Sequence, residues 1–205
     1  MARILLIGGS PTHPCKAHYL LDYAKCLLEA QSGTSNIKVT TLLVRDLLAE
    51  DLAFGRYASP ALLYPKKMIE DAEALIIVSP ISKAAYTGLL KSFLDLLPRD
   101  ILSQKVILPL STSNTIGHSV ALEYSLKPVL AELGTTRILT SVFALDDQLQ
   151  LNNVSELAAD IGLHIRLQTA LNDLIDAIAS NDVKKSHKHD SLPSQSPTLQ
   201  EVYAI

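Results

Sequence analysis

The chain has 205 residues, 48% hydrophobic and 19% charged, enough for one full core and too apolar for a disordered polypeptide. A formal charge of -3 and a pI near 6.0 exclude the basic excess that displaces counterions from nucleic acid, so no nucleic-acid partner is expected. Cys15 and Cys26 are too few for a disulfide framework and have neither CxxC nor zinc spacing, so both thiols are expected free, in a cytoplasmic setting.

Arg3 to Gly8 reads as a buried strand, a short apolar run closed by glycine; Ile4 to Ile7 is too short for a signal-peptide core. No apolar run approaches the ~20 residues of a membrane span. His18 to Glu29 carries Leu20, Leu21, Ala24, Leu27 and Leu28 at helical spacing, and Ile37 to Val44 alternates as a second strand. Ser59 and Pro60 read as the cap and first residue of a helix running to Asp71. Ala74 to Ser79 is a third strand, and Gly88 to Leu97 a helix that Pro98 ends. Lys105 to Leu110 is a fourth strand, with Pro109 expected near its end. His118 to Leu133 is a helix stopped by Gly134, and Arg137 to Leu145 a fifth strand. A final helix is expected over Ser155 to Ser180, with Leu157, Ile161, Ile165, Leu171, Leu174, Ile175 and Ile178 on one face.

Five strands alternating with helices imply an α/β doubly wound parallel sheet, order 2-1-3-4-5, helices on both faces. No internal repeat is evident. Residues 1–181 read as one domain. Residues 182–205, rich in Lys, Ser, His and Pro, read as a polar, disordered tail, although His187 and His189 could bind a metal or an anion.

In that order the sheet reverses between strands 1 and 3, so the loops after strands 1, 3 and 4 should meet at a ligand site. The first, Gly9 to His18, opens a helix. Ser10, Thr12 and the Cys15 thiol offer donors and Lys16 a charge, which suits a phosphate monoester; an ordinary turn-rich connection reads the same way. The loop has no GxGxxG or Walker pattern, Cys15 lacks the Arg a phosphatase cradle places six residues on, and GxSxG is absent. The second loop, Ser79 to Gly88, has small residues that let a flat ligand approach, or is a plain long connection. The third, Ser111 to His118, is nearly all hydroxyl and amide; it could bond a heteroaromatic ring or cap the next helix. Pro128 lies inside a helical pattern and clashes with the carbonyl of Tyr124, which a π-bulge near Tyr124 or a simple kink would relieve.

Four stretches together resemble one family. They are Gly9-Ser10-Pro11, the run Asp51 to Leu62, the run Lys83 to Pro98 (KAAYTGLLKSFLDLLP), and Glu123 to Leu130 (EYSLKPVL). They resemble the NADPH-dependent FMN reductases of the flavodoxin-like superfamily, the likeness being greatest to the reductase component of bacterial alkanesulfonate monooxygenase systems. The resemblance runs from about residue 3 to about residue 145. It implies a flavodoxin-like fold and FMN and NADPH as cofactors, with hydride transfer from nicotinamide to flavin N5. The cofactors carry that chemistry, so no catalytic side chain is named. It also implies supply of reduced FMN to a flavin-dependent sulfonate monooxygenase in sulfur metabolism, and a homodimer or homotetramer with Tyr124 in a π-bulge at a subunit contact. The implied cofactor-binding residues are Ser10, Thr12, Cys15, Lys16, Ala17 and His18 in the first loop, Pro80, Ile81, Ser82 and Lys83 in the second, and Thr112, Ser113, Asn114 and Thr115 in the third.

All three loops depart from the family pattern. The phosphate loop usually reads Gly-Ser-x-Arg-x-x-Ser; here Thr12 and Cys15 replace its Arg and second Ser, leaving Lys16 or His18 to supply charge. Ser82 stands where the second loop usually has Tyr, and Ser113-Asn114 where the third often has Gly-Gly. Two other readings stay open: a flavodoxin-fold binding or assembly protein without reductase activity, and a quinone or azo-dye reductase using the same flavin site.

Overall fold

Successive side chains of a strand point to opposite faces of its sheet, and in this chain both faces are apolar. The computed structural model describes residues 2–31, 37–151 and 157–190. Its parallel strands are β1 (Ala2–Gly8), β2 (Ile37–Leu43), β3 (Ala74–Pro80), β4 (Val106–Ser113), β5 (Arg137–Ile138) and β6 (Val142–Leu145). The sheet order is β2-β1-β3-β4-β5, with β6 continuing β5's place beside β4. The flavodoxin-like order expected from the sequence is thus the one observed.

Helices cover both faces. Ile4, Leu6, Ile76, Val78, Leu108 and Leu110 pack in one core with Leu20, Leu21 and Leu28 of α1 (Lys16–Gln31) and with α6 (Ile161–Asp190). The alternate residues Leu5, Ile7, Leu75, Ile77 and Ile107 face α2 (Ala49–Ala53), α3 (Leu63–Asp71), α4 (Gly88–Asp95) and α5 (Ala121–Glu132). That two-residue alternation, repeated in β1, β3 and β4, fixes the register: a slip of one would exchange the two cores.

Several expectations are corrected. Strand β4 runs on to Ser113, so Ser111, Thr112 and Ser113 are ladder residues rather than loop. Pro109 lies in mid-strand, opposite Ile77 of β3. It is tolerated because the neighbouring strand breaks there: β5 pairs with Val106 and Ile107, β6 with Leu110 to Ser113. The missing N–H thus faces no partner on that side. The fifth strand is accordingly two short ones.

The final helix starts at Ile161, not Ser155. Asp160 caps it, its Oδ1 accepting from the Leu163 amide at 2.8 Å. Leu157 belongs instead to β8 (Leu157–Ala159), which pairs antiparallel with β7 (Leu149–Leu151). The buried face of α6 is Leu163, Leu167, Leu171, Leu174 and Ile178, while Ile161 and Ile165 are exposed. The helix continues to Asp190, past the composition change at residue 182; residues 191–205 and the side chains of His187 and His189 lie outside the described residues. Helix α5 is α-helical throughout with Pro128 inside it, and has no π turn. One lost amide bond needs only the local adjustment of an α-helix. Among the described residues no helix is long and apolar enough to cross a membrane.

Candidate functional site

The sheet reverses between β1 and β3, and the loops leaving their carboxyl ends are stitched together at the root. The Gly9 amide donates to the Val78 carbonyl at 2.8 Å, extending the ladder beyond β1. A Cβ on Gly9 would lie 2.9 Å from Leu90 Cβ, so glycine is what lets this strand end pass the start of α4. Thr87 is the brace between the two loops. Its buried hydroxyl donates to the Gly9 carbonyl and accepts from the Leu90 amide at 3.2 Å, capping α4. Its own amide donates to Ser79 Oγ at 3.2 Å. The third loop joins through the Ile81 amide, which donates to the Thr112 carbonyl at 2.8 Å.

The first loop folds round one hydroxyl. Ser10, 1% exposed, donates from Oγ to the Thr12 carbonyl at 3.1 Å and accepts from the Thr12 amide at 3.3 Å. Cys15 Sγ lies 3.1 Å from that same oxygen and 3.2 Å from Nδ1 of His18. His18 is 4% exposed, and its Nε2 is buried without a partner. Burial, and then the neighbouring His13, hold the His18 pKa below the ordinary imidazole value. With Gly8, Ser10, Ala17 and Val78, His18 borders a gap under the loop that is too tight to hold a water molecule. The amides of His18 and Tyr19 both bond the Cys15 carbonyl; among the described contacts those of Lys16 and Ala17 bond nothing, as the first turn of a helix leaves them.

The NADPH-dependent FMN reductase family model matches residues 2–150. The chain belongs to the NADPH-dependent FMN reductase family. Such proteins are oxidoreductases whose cofactors are FMN and NADPH. A relative from Escherichia coli K12, FMN reductase (NADPH), is 38% identical over 182 residues, 89% of this chain and 93% of its own. A second FMN reductase (NADPH), from Pseudomonas putida KT2440, is 37% identical over 145 residues, 71% of this chain and 72% of its own. Among solved structures, the apo form of the NADH:FMN oxidoreductase EMOB superposes with a TM-score of 0.72 at 28% identity, each chain covered in full.

Within this FMN reductase family member the candidate residues fall into three groups. Ser10, Cys15, Ala17 and His18 are brought together under the first loop, with Thr12 exposed above them. Lys16 turns aside: its Nζ donates to the Leu149 carbonyl and lies 5.9 Å from the Tyr19 ring centroid. It also opposes the burial that raises the Asp146 pKa.

In the second loop Pro80 ends β3 and Ile81 is buried, while Ser82 and Lys83 are exposed. Lys83 and Ala84 have φ of 53° and 61°, and the Ser82 amide donates to the Ala85 carbonyl at 2.8 Å, closing a tight turn. Two non-glycine residues in the left-handed region store strain of about 1–2 kcal/mol each at the site's rim.

In the third loop Thr112 and Ser113 are buried in β4, and Asn114 and Thr115 are exposed beyond it. Ser113 Oγ lies 2.8 Å from His118 Nδ1 and accepts from the Thr115 amide at 3.4 Å, so this one hydroxyl ties the end of β4 to the following turn. Tyr124 stands apart, 81% exposed on α5.

The sequence reading missed the braces Ser79 and Thr87, though a Thr just before Gly88 at a helix start is a cap signal. It also missed Asp51. Its carboxylate, 2% exposed, accepts from the Ser59 hydroxyl and lies 3.6 Å from the Arg56 guanidinium, which closes the run Asp51 to Leu62 on itself.

Proposed function

We propose that this chain uses NAD(P)H to reduce FMN in the crevice between β1 and β3, and passes reduced FMN to a flavin-dependent sulfonate monooxygenase. The observation that carries the reading is His18 Nε2: a buried polar atom without a partner, beside Ser10 and the free amides that open α1. A buried unpaired ring nitrogen costs free energy unless something completes it. A phosphate oxygen at the start of α1 would do so, and the dipole of a helix start favours that charge.

Ser10, Thr12, Cys15, Ala17 and His18 then hold the phosphate, Lys16 adding charge from the side. Pro80, Ile81, Ser82 and Lys83 would hold the isoalloxazine ring from one side, and exposed Asn114 and Thr115, with buried Thr112 and Ser113 behind them, would offer polar groups from another. When bound, the nicotinamide and flavin supply the hydride chemistry between them. The protein's part is to fix the phosphate, exclude water with the buried side chains of Ile81 and Tyr86, which follow β3, and keep the rim turn at Lys83-Ala84 in one conformation. No side chain is assigned as acid or base.

Ile116 in the turn before α5, Val120 at its N-cap and Tyr124 in its first turn are all exposed large apolar side chains. They support a homodimer or homotetramer with Tyr124 at a subunit contact. The test of supply is coupling: a sulfonate monooxygenase given this protein, NADPH and FMN should release sulfite. Sulfite released with chemically reduced FMN, but not with the protein and NADPH, would reject the supply role. Turnover with quinones or azo dyes but not FMN would favour the other reductase reading.

A further inference from the structure

The geometry points to Cys15 as a peroxide-sensitive thiol whose oxidation closes the phosphate end of the flavin site. The inference rests on the reading of the first loop given above. Cys15 is half-buried, so a small oxidant can reach it, and its sulfur sits between two groups that can manage its proton: Ser10 Oγ at 3.1 Å and His18 Nδ1 at 3.2 Å. The thiolate is the reactive form of cysteine, and His18, held neutral by burial, has a ring nitrogen in place to take the thiol proton. The far nitrogen of the same ring, Nε2, is buried and unpartnered beside the tight gap bordered by Gly8, Ser10, Ala17 and Val78. The ring therefore connects the thiol to the nitrogen that, in the reading above, meets the phosphate. Cys26, the other cysteine, is exposed on α1 and has no such neighbours among the described residues. It serves as an internal control.

The oxidant is hydrogen peroxide, which forms when free reduced flavin meets dioxygen. The thiol proton passes to His18 Nδ1, and the sulfur attacks one peroxide oxygen. An S–O bond forms as the O–O bond breaks; sulfur loses two electrons and the peroxide gains them. The departing hydroxide takes the proton from His18 and leaves as water, giving a sulfenic acid that thiols can reverse. The oxygen enters from the open side of Cys15, and the enlarged group presses on Ser10 and His18, which touch the sulfur and are 1% and 4% exposed. Packed groups must move to admit it, and those are the two buried groups that face the phosphate. A reductase that releases more reduced flavin than its acceptor consumes would in this way lower its own affinity for FMN.

The test uses the full chain and reads binding rather than turnover. FMN and riboflavin are titrated by flavin fluorescence before and after a stoichiometric peroxide pulse, and sulfenic acid is mapped with dimedone. Dimedone should mark Cys15 ahead of Cys26. FMN should slow alkylation of Cys15 by iodoacetamide and leave Cys26 unaffected. The FMN Kd should rise by about tenfold or more, the loss of one charge-assisted hydrogen bond. Riboflavin, which lacks the phosphate, should bind as before, and dithiothreitol should restore FMN binding. Cys15→Ser, whatever its own FMN affinity, should lose the response to peroxide, and Cys26→Ser should keep it. Marking of Cys26 alone, or a response that survives in Cys15→Ser, overturns the proposal. FMN binding unchanged by full oxidation of Cys15 overturns the gating alone. Untreated protein that binds no FMN overturns the reading of the site and the gating with it.

Discussion

Replacing Thr87 with Val keeps the side-chain volume and removes one hydroxyl. That hydroxyl does two things at once: it caps α4 by accepting from the Leu90 amide, and it donates to the buried carbonyl of Gly9. Loss of an N-cap costs about 1 kcal/mol. Leaving a buried acceptor without its donor costs about 1–3 kcal/mol. One hydroxyl serves both, so the two costs overlap and about 2–3 kcal/mol is the expected loss. For a chain of this size each kcal/mol lowers Tm by about 2–4 °C, so Thr87→Val should melt about 5–10 °C early. The same change unpins the first loop from the second, so FMN affinity should fall along with stability. Thr87→Ser keeps the hydroxyl and should recover most of both. Thermal unfolding by circular dichroism and FMN titration check this. A valine variant melting within about 2 °C of the parent, with FMN affinity intact, would refute the role of Thr87 as the brace.

Other substitutions probe the rest of the site. Gly9→Ala puts a Cβ 2.9 Å from Leu90 Cβ, and should destabilise by about 1–3 kcal/mol in denaturant titration; an unchanged midpoint would mean the approach relaxes freely. Ala84→Gly relieves a left-handed alanine at some cost in chain entropy and should stabilise by about 0.5–1 kcal/mol, whereas Ala84→Val at φ 61° should destabilise; equal melting of the two would contradict the turn geometry. His18 has a folded pKa below its unfolded value, chiefly through burial and then His13, with Asp22 and the Thr12 backbone pulling upward and Arg45 downward. Its contribution to stability is therefore full above about pH 6.5 and is lost as pH falls from there toward the folded value. Tm should drop over that window, and His18→Gln should flatten the drop; a slope unaffected by the substitution would assign it to another group.

Much of the architecture is legible in the sequence because its signals are strong. The apolar runs of β1 and β3 are closed by Gly8 and Pro80, and Ser59-Pro60 starts the 3-10 turn Pro60–Leu62 that leads into α3, the Ser59 side chain accepting from the Ala61 amide. The misreadings share a physical cause, which is that packing overrides local pattern. Leu157 through Ile165 continue a helical spacing, yet Asp160 caps the helix there and the buried face shifts to Leu163 and Leu167. Pro109 argues for a strand end, yet a break in the neighbouring strand accommodates it in the middle. The loops that converge could be named from topology alone. What each residue does there could not. Lys16 looks like a phosphate ligand but is drawn to the Leu149 carbonyl, while the plain residues Thr87 and Ser79 hold the loops together.

The central claim is that the crevice between β1 and β3 serves NAD(P)H-dependent reduction of FMN despite the altered loops. The direct measurement is the initial rate of NADPH oxidation by the purified protein, with and without added FMN. The account predicts a low rate alone and strong, saturable stimulation by FMN, with riboflavin a weaker substrate because it lacks the phosphate. No stimulation at generous FMN concentration, with either NADPH or NADH, would contradict it and make Thr12, Ser82 and Asn114 the marks of a site that no longer takes flavin.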